Sequence, residues 1–398
     1  MDAQRRNLYI LAFIMLVMML GYGIVVPILP FYIESMGAGG MELGLLTASY
    51  AVMLLIFGPI WGSLSDRFGR KPILLVGVLG YVITMTWFGL ATQLWMLFVA
   101  RILAGILSSA AMPTAMAYIS DNTLDSERGA GMGLLGAMGG IGTILGPVLG
   151  GFLAKTTFSL PFFIAAGMAA LALILVALFL PESRPAGERD TEAQAALVDL
   201  HIWRQALFSP LGPLFMLTFI STSGLMIFTN IFGLYGLKRF NYSPEEVGIV
   251  MMVLGLASAL TQGVLVGPIT KRWGDVQVVR MGLLFSALGF VVMLLADNFA
   301  TVLVTTALFA VAYSVTNPAL LSLTSQRATV EQGVTMGLSN SFVSLGRIVG
   351  PLLGGAVLDI HLSLPYASGA VIIFSGFLAS LLWIVPGQVV AEKSEVKI

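Results

Sequence analysis

Long apolar runs separated by short polar segments recur along the whole chain. Each is about 20 residues long, which is what a helix needs to cross a hydrocarbon core of about 30 Å. The alternating segments of about ten residues that are typical of outer-membrane strands do not occur. The runs lie at 8–33, 43–62, 73–91, 94–118, 129–154, 161–180, 210–235, 246–267, 278–296, 300–322, 333–357 and 365–385. They predict an all-α membrane protein with twelve transmembrane helices, here named spans 1 to 12.

The first run follows Arg5 and Arg6, as a signal peptide would, but it is too long for the apolar part of one and lacks an A-x-A-like site. We therefore expect a retained first helix. The polar stretch PESRPAGERDTEAQ interrupts the apolar pattern after span 6. It predicts three parts: a six-helix bundle at 1–180, a cytoplasmic linker at 181–209, and a second six-helix bundle with a short cytoplasmic tail at 210–398.

The two halves resemble each other in sequence. GMGLLGAMGGIGTILGPVLGG at 131–151 aligns with TMGLSNSFVSLGRIVGPLLGG at 335–355, and GSLSDRFGR at 62–70 aligns with GPITKRWGD at 267–275. Pro113 pairs with Pro318 and Pro161 with Pro365 at the same spacing. Parallel repeats of six helices, with a substrate site at their interface, are an arrangement found in secondary transporters that work by alternating access.

Composition agrees with a bilayer environment. The chain of 398 residues is 58% hydrophobic and 10% charged, whereas soluble domains carry roughly 25% charged residues. Cysteine is absent and there are two histidines, which excludes disulfides and argues against thiolate or histidine metal sites. We expect no cofactor and no metal. The positions of the 20 basic residues favour both termini in the cytoplasm, because most of them fall in loops on that side of the predicted topology.

Four motifs resemble those of the major facilitator superfamily. Gly62-Ser-Leu-Ser-Asp66-Arg67-Phe-Gly69-Arg70-Lys71 is similar to its signature between helices 2 and 3, and Arg101-Ile-Leu-Ala-Gly105 to its fourth-helix R-x-x-x-G pattern. Gly142-Thr-Ile-Leu-Gly146-Pro147-Val-Leu-Gly150-Gly151 is similar to its fifth-helix antiporter signature. The stretch 20–30 resembles the first helix of twelve-helix drug:proton antiporters, including tetracycline and quinolone exporters.

The resemblance implies roles for charged residues near the cytoplasm. Asp66 would interact with helix ends of the opposite half and latch the outward-facing state. Its loop, which also carries Arg67 and Arg70, is equally explained as a solvated basic loop. Lys271 stands where Asp66 does in the first half, so we expect a one-sided latch. The glycine-rich GP motif of span 5 reads physically as a close helix-packing site.

Two arginines are expected inside the membrane, Arg101 in span 4 and Arg347 in span 11. Buried ionisable residues are functional candidates because their insertion is costly. Spans 5, 7 and 10 contain no acid, which departs from the drug:proton antiporters. A cavity with this balance favours anionic or neutral, dipolar substrates. If protons are coupled, the candidate carboxylates are Glu34, Asp66 and Asp121, with Arg101 able to shift the pKa of a neighbour.

A substrate pocket needs apolar walls and a few polar groups. Residues at middle depth that meet this description also have a plain explanation as helix-packing side chains. Besides Arg347 they are Met18, Met19, Tyr22, Ser109, Met112, Thr222, Met226, Phe228, Asn230, Tyr313, Asn317 and Asn340.

Two functions stay open. The first is a secondary active exporter of small amphipathic or hydrophobic compounds, a multidrug efflux protein of the inner membrane that works as a proton antiporter. The second is a dedicated transporter of an anionic or neutral metabolite, a sugar or a lysolipid, with or without proton coupling. The chain has no phosphate-binding loop of a primary pump and no HExxH or GxSxG motif of an enzyme. The partners expected are a small molecule, protons and the bilayer, with no nucleic acid, and a monomer suffices.

Overall fold

The computed structural model describes residues 3–123, 125–184, 200–328 and 332–384. Across them the chain is helical, and no strand occurs within these ranges. The spans are Ala3–Ser35, Gly40–Phe68, Arg70–Leu90, Leu94–Asn122, Asp125–Leu153, Leu160–Phe179, Gly212–Phe240, 244–273, 275–295, Phe299–Gln326, Gln332–Leu358 and Leu364–Trp383. Each predicted run overlaps one of these helices, so the twelve-span prediction is confirmed.

Spans 8 and 9 form one helical run, Pro244–Leu295, which is broken at Gly274. Gly274 has φ +76° and Gly69, between spans 2 and 3, has φ +102°. These values lie in the region that only glycine adopts readily, and the two glycines occupy aligned positions in the two halves. The repeat therefore includes the backbone turn that joins its second helix to its third.

Two spans contain local departures from the α-helix. A 3₁₀ turn at Ser108–Ala110 interrupts span 4, and a π-helical turn at Thr261–Leu265 interrupts span 8. A short helix, Leu200–Leu207, lies in the predicted linker.

The contacts divide the chain into two compact units. Unit 1 comprises Met1–Val198, Thr229–Leu256 and Pro351–Leu362, and unit 2 comprises Asp199–Phe228, Ala257–Gly350 and Ser363–Ile398. Unit 1 thus includes the end of span 7, the beginning of span 8 and the end of span 11 together with spans 1 to 6.

Glycines of span 5 pack against the backbone of span 1 in unit 1. A methyl group on Gly142 would lie 2.6 Å from the Leu16 carbonyl oxygen, and one on Gly150 would lie 2.9 Å from that of Ile24. A methyl group on Gly146, between them, would lie at least as close to the Leu20 carbonyl oxygen. The missing side chains let the two helix backbones touch, so the fifth-helix motif forms a close packing site.

Unit 2 repeats this contact with spans 11 and 7. A methyl group on Gly350 would lie 2.6 Å from the Ser223 carbonyl oxygen, and one on Gly346 would lie 3.0 Å from that of Phe219. Gly346 and Gly350 align with Gly142 and Gly146. Both halves therefore hold their first and fifth helices together in the same way.

Candidate functional site

Arg70 joins two carboxylates at the end of spans 2 and 4. Its Nη2 lies 2.7 Å from Asp66 Oδ1, and its Nε lies 2.8 Å from Asp121 Oδ2. Its Nη1 donates to Ser65 Oγ at 2.6 Å. Asp66 and Arg70 are four residues apart across the Gly69 turn, and the Arg70 side chain is only 7% exposed. We name the end of the molecule that carries this cluster the Asp66 face.

Two further residues after span 6 complete the cluster. Arg184 Nη1 lies 2.5 Å from Asp66 Oδ1, and Glu182 accepts a hydrogen bond of 2.8 Å from the Arg70 backbone N–H. Glu182 therefore places a carboxylate at the N-terminus of span 3, where the helix dipole favours an anion. Arg67 is exposed, with its guanidinium 5.5 Å from the Phe68 ring centre. The structure brings Asp66, Arg70 and Asp121 together and leaves Arg67 outside the cluster.

The second half has a polar contact at the corresponding place. Asp275, aligned with Arg70, accepts hydrogen bonds from Ser322 Oγ at 2.7 Å and from Gln326 Nε2 at 2.9 Å. Gln326 aligns with Asp121. In both halves the start of the third helix thus binds the end of the fourth, but the cation of the first half is replaced by an anion in the second.

Arg101 lies among aromatic rings in unit 1. It is 6% exposed, and its guanidinium carbon is 5.5 Å from the ring centre of Tyr50 and 5.7 Å from that of Phe88. Its Nε is buried without a hydrogen-bond partner. Across the part of the chain that the structure describes, no carboxylate lies within ion-pair distance of it, and the ring faces of Tyr50 and Phe88 stabilise its charge.

Tyr22 borders this aromatic cluster and is 36% exposed. Its ring centre lies 6.4 Å from that of Tyr50. Gly21, the residue before it, leaves the space that the Tyr81 hydroxyl occupies. Tyr22, one of the residues predicted to bind substrate, therefore lies near Arg101 on an accessible surface.

The other pocket candidates of unit 1 have mixed positions. Met18 is 9% exposed, and Met19 packs against Gly139 and Gly142 of span 5. Ser109 is 4% exposed and donates its hydroxyl to the Ile106 carbonyl at 2.9 Å, within the 3₁₀ turn. Met112 is 46% exposed. A half-buried Asn230 donates to Thr229 Oγ1 at 3.5 Å.

In unit 2, Tyr313 and Asn317 of span 10 form a polar pair. Asn317 Nδ2 donates to the Tyr313 hydroxyl at 2.6 Å. The charge of Arg347 acts on the same hydroxyl, and the buried Thr222 lies beside it. Arg347 itself is exposed. These four predicted residues, from spans 7, 10 and 11, are therefore close together.

Three further predicted residues belong to unit 2. Phe228 is fully buried, with its ring 4.2 Å from that of Phe309 and with Phe290 and Tyr366 at its edge. It packs the core of the unit, and we do not include it in the proposed site. Asn340 is exposed on span 11, and Met226 is half-buried beside Gly350.

At the opposite ends of the helices, which we name the Asp359 face, spans of the two halves meet within unit 1. Asp359, at the end of span 11, accepts hydrogen bonds of 2.8 Å from the backbone N–H groups of Gly40 and Met41 at the start of span 2. Gly40 and Gly44 pack against the backbone of span 11, at Gly355 and Pro351, and Gly40 also meets the Leu358 side chain. This contact was not predicted, because its partners are more than 300 residues apart and no local motif marks them.

A second contact at the Asp359 face joins the end of span 5 to the start of span 8. Lys155 forms an ion pair with Glu245, and Gly151 packs against the Pro244 carbonyl. Glu34, at the end of span 1, is exposed and lies apart from Asp66 and Asp121, which belong to the other face. Within unit 1 the Asp359 face is therefore closed by close glycine packing together with the Asp359 hydrogen bonds and the Lys155–Glu245 ion pair.

The described residues contain no group of three or more His, Cys, Asp or Glu side chains that would hold a metal ion. What they contain is a membrane protein of two six-helix halves with a charge cluster at one face and a buried arginine. That is the architecture of a polytopic transporter.

The chain belongs to the Major Facilitator Superfamily, whose model matches residues 11–260 and 214–397. It is 32% identical to multidrug resistance protein 1 of Bacillus subtilis over 98% of this chain and 100% of that protein. It is 28% identical to the quinolone resistance protein NorA of Staphylococcus aureus, over 90% and 92% of the two chains. The crystal structure of nucleoside transporter NupG has the same fold, with a TM-score of 0.78 at 14% identity over 96% of this chain and 100% of that one. The predicted family and fold are confirmed, and the protein is a transporter rather than an enzyme.

Proposed function

We propose that this protein exports small amphipathic or hydrophobic compounds from the cytoplasm across the inner membrane by alternating access. Full-length similarity to bacterial proteins named for multidrug and quinolone resistance supports export of drug-like molecules. The basic residues of the Asp66 face favour a cytoplasmic location for that face and for both termini. The halves 1–180 and 210–398, joined by the linker 181–209, are the proposed moving parts, and a monomer is sufficient.

The observation that carries the substrate class is Arg101. A guanidinium that is 6% exposed among aromatic rings, with no carboxylate partner in the described residues, gives its surroundings a positive potential. Tyr22 supplies an accessible aromatic surface beside it. In unit 2, Arg347 adds a second cation next to Tyr313 and Asn317. We infer a preference for anionic or neutral, dipolar compounds over cationic ones.

Proton antiport is the proposed energy source. Asp66 and Asp121 share the guanidinium of Arg70, so a proton on either carboxylate would remove one ion pair of the cluster. Glu34 is the third candidate, exposed at the other face. Arg101 and Arg347 also support the second function, a dedicated transporter of one anionic metabolite. That transporter would differ from the first in accepting a single chemical class.

The test is accumulation of matched cationic, neutral and anionic dyes in efflux-deficient cells that express the protein, with and without a protonophore. We expect protonophore-sensitive export of several unrelated compounds, with anionic and neutral dyes preferred. Arg101→Gln and Arg347→Ala should reduce export of the anionic dye more than that of the neutral dye, and Arg101→Lys should restore part of it. Arg5→Gln, which changes an exposed arginine, is the matched control. Efficient export of cationic dyes alone would contradict the charge argument, and export of one anionic class alone would favour the dedicated transporter.

A further inference from the structure

A groove runs along unit 2 between spans 9 and 10. Its volume is about 570 Å³. The two helices touch at its floor, because Gly282 leaves space for Thr316 and Gly289 leaves space for Phe309. The close approach of the backbones at these two glycines makes the surface concave where larger side chains would fill it.

The lining of the groove is apolar along its length. On span 9 it includes Val278, Phe285 and Val292, which are seven residues apart and so lie on one side of the helix. The lining also contains Thr305, whose hydroxyl is used in a hydrogen bond of 3.0 Å to the Val302 carbonyl. A ligand in the groove would meet hydrocarbon and no unsatisfied hydroxyl from this threonine.

The length of the groove suits an acyl chain. Val278 and Val292 are about 21 Å apart along the helix at 1.5 Å per residue, whereas one leaflet contributes about 15 Å, half of a hydrocarbon core of about 30 Å. The groove is therefore longer than one leaflet is thick, so an acyl chain that enters at one end can lie entirely within the groove. Phe285 and Leu308 are 50% and 60% exposed, and both would be covered.

Basic side chains stand at one end of the groove. Ile269 and Trp273, at the end of span 8, line it, and Lys271 and Arg272 lie between them in the sequence and are exposed. Trp273 is 55% exposed, and tryptophan is enriched at the membrane–water interface. Two cations beside an interfacial tryptophan are the environment that an anionic headgroup prefers.

We propose that this groove binds an anionic phospholipid, with one acyl chain between spans 9 and 10 and the phosphate at Lys271 and Arg272. Disordered chains of the surrounding bilayer would fill this concave surface only in part, whereas a bound lipid would fill it. The phosphate of the bound lipid would also neutralise the two cations. Charge complementarity selects a lipid over a transported compound as the occupant, because the cations lie at the interface and the groove behind them is apolar.

The experiment uses the full-length protein in bilayers of phosphatidylcholine that contain a few mole per cent of phosphatidylglycerol with brominated chains. Bromine quenches a nearby tryptophan, and the difference between the wild type and Trp273→Phe isolates Trp273 from the five others. The comparison bilayer contains brominated phosphatidylcholine at the same low fraction. We expect about tenfold enrichment of phosphatidylglycerol at Trp273, which corresponds to about 1.4 kcal/mol.

Lys271→Gln with Arg272→Gln should remove the enrichment, whereas Arg5→Gln with Arg6→Gln, which removes the same charge elsewhere, should keep it. Water-soluble glycerophosphoglycerol, the headgroup without chains, should not reduce the quenching by the lipid. Equal quenching by the two brominated lipids would overturn the proposal. An equal loss in both double variants would show a general effect of surface charge and would also overturn it. Retention of phosphatidylglycerol by the purified wild type, and its loss from the Lys271/Arg272 variant in native mass spectrometry, is the second measurement.

Discussion

Asp359 is the most informative single residue to change at the closed face. Its carboxylate accepts two backbone N–H groups, from Gly40 and Met41, at 2.8 Å each. These bonds join span 11 of the second half to span 2 of the first. In an alternating-access cycle they must break whenever the Asp359 face opens, so Asp359→Asn should favour the state in which that face is open.

The size of the effect follows from the two bonds. Asparagine keeps one carbonyl oxygen, so one hydrogen bond survives without its charge and the other is lost. An exposed carboxylate at a helix N-terminus contributes about 0.3–1 kcal/mol, and one net hydrogen bond about 0.5–1.5 kcal/mol. Because Asp359 is exposed, we take about 1 kcal/mol in total, which corresponds to a roughly fivefold larger open population.

The assay uses the absence of native cysteine. Ala48 is 4% exposed and lies one helical turn beyond Gly44, on the side of span 2 that meets Pro351. In Ala48→Cys protein, the rate of modification by a polar thiol reagent should rise about fivefold when Asp359→Asn is added. The control is Asp297→Asn, since Asp297 accepts hydrogen bonds from Asn298 and Thr301 at the start of the adjoining span 10. Equal rates in the two variants would refute the reasoning.

Two further predictions concern stability. Arg70→Ala should lower the thermal unfolding temperature of the purified protein more than Arg67→Ala, because it removes the cation that two carboxylates share. Those carboxylates are 36% and 29% exposed and Asp66 keeps Arg184, so we expect a loss below the about 3–5 kcal/mol of a fully buried pair. Equal losses would contradict the burial of Arg70. Gly146→Ala should cost about 1–3 kcal/mol by overpacking against the Leu20 carbonyl, whereas Gly140→Ala, which meets no atom within 4 Å, should be neutral or slightly stabilising in the same melt.

The twelve spans were predictable because each is an apolar run of the length that the bilayer requires. Their ends were less so. Span 2 was predicted at 43–62 and extends over Gly40–Phe68, since the helix continues beyond the hydrocarbon layer and only the apolar part of it is marked by composition. The helix Leu200–Leu207 lies in a polar segment and was missed for the same reason.

The charge cluster at the Asp66 face was predicted in part. The motif pointed to Asp66 and Arg70, and Asp121 was predicted separately as a candidate carboxylate for proton coupling. Charge alone does not distinguish a solvated basic loop from a buried ion pair. The four-residue spacing of Asp66 and Arg70 was the available signal, since such residues are neighbours on helical turns. The second half was expected to lack a counterpart because Lys271 replaces Asp66. Its contact instead uses Asp275 with Ser322 and Gln326, and the aligned positions 70 and 275 would have indicated it.

The sequence predicted which residues lie inside the membrane, but not which of their side chains lie next to one another in the candidate site. Arg101 stood out in the sequence as a charge inside a span, but its aromatic partners come from three separate parts of the chain. Phe228 had the same apolar character and depth as Tyr22, yet it is enclosed by other rings while Tyr22 is accessible. Depth in the membrane follows from position along a helix, but the direction of a side chain depends on which neighbours that helix meets.

The glycine contacts between spans 1 and 5, and between spans 7 and 11, have an evolutionary consequence. These contacts set backbone carbonyls of spans 1 and 7 against glycines of spans 5 and 11, so a larger side chain at any of these glycines would push the two helices apart. Positions elsewhere on the four helices do not meet this restriction. Among related sequences we therefore expect the glycine positions to vary less than the other faces of the same helices.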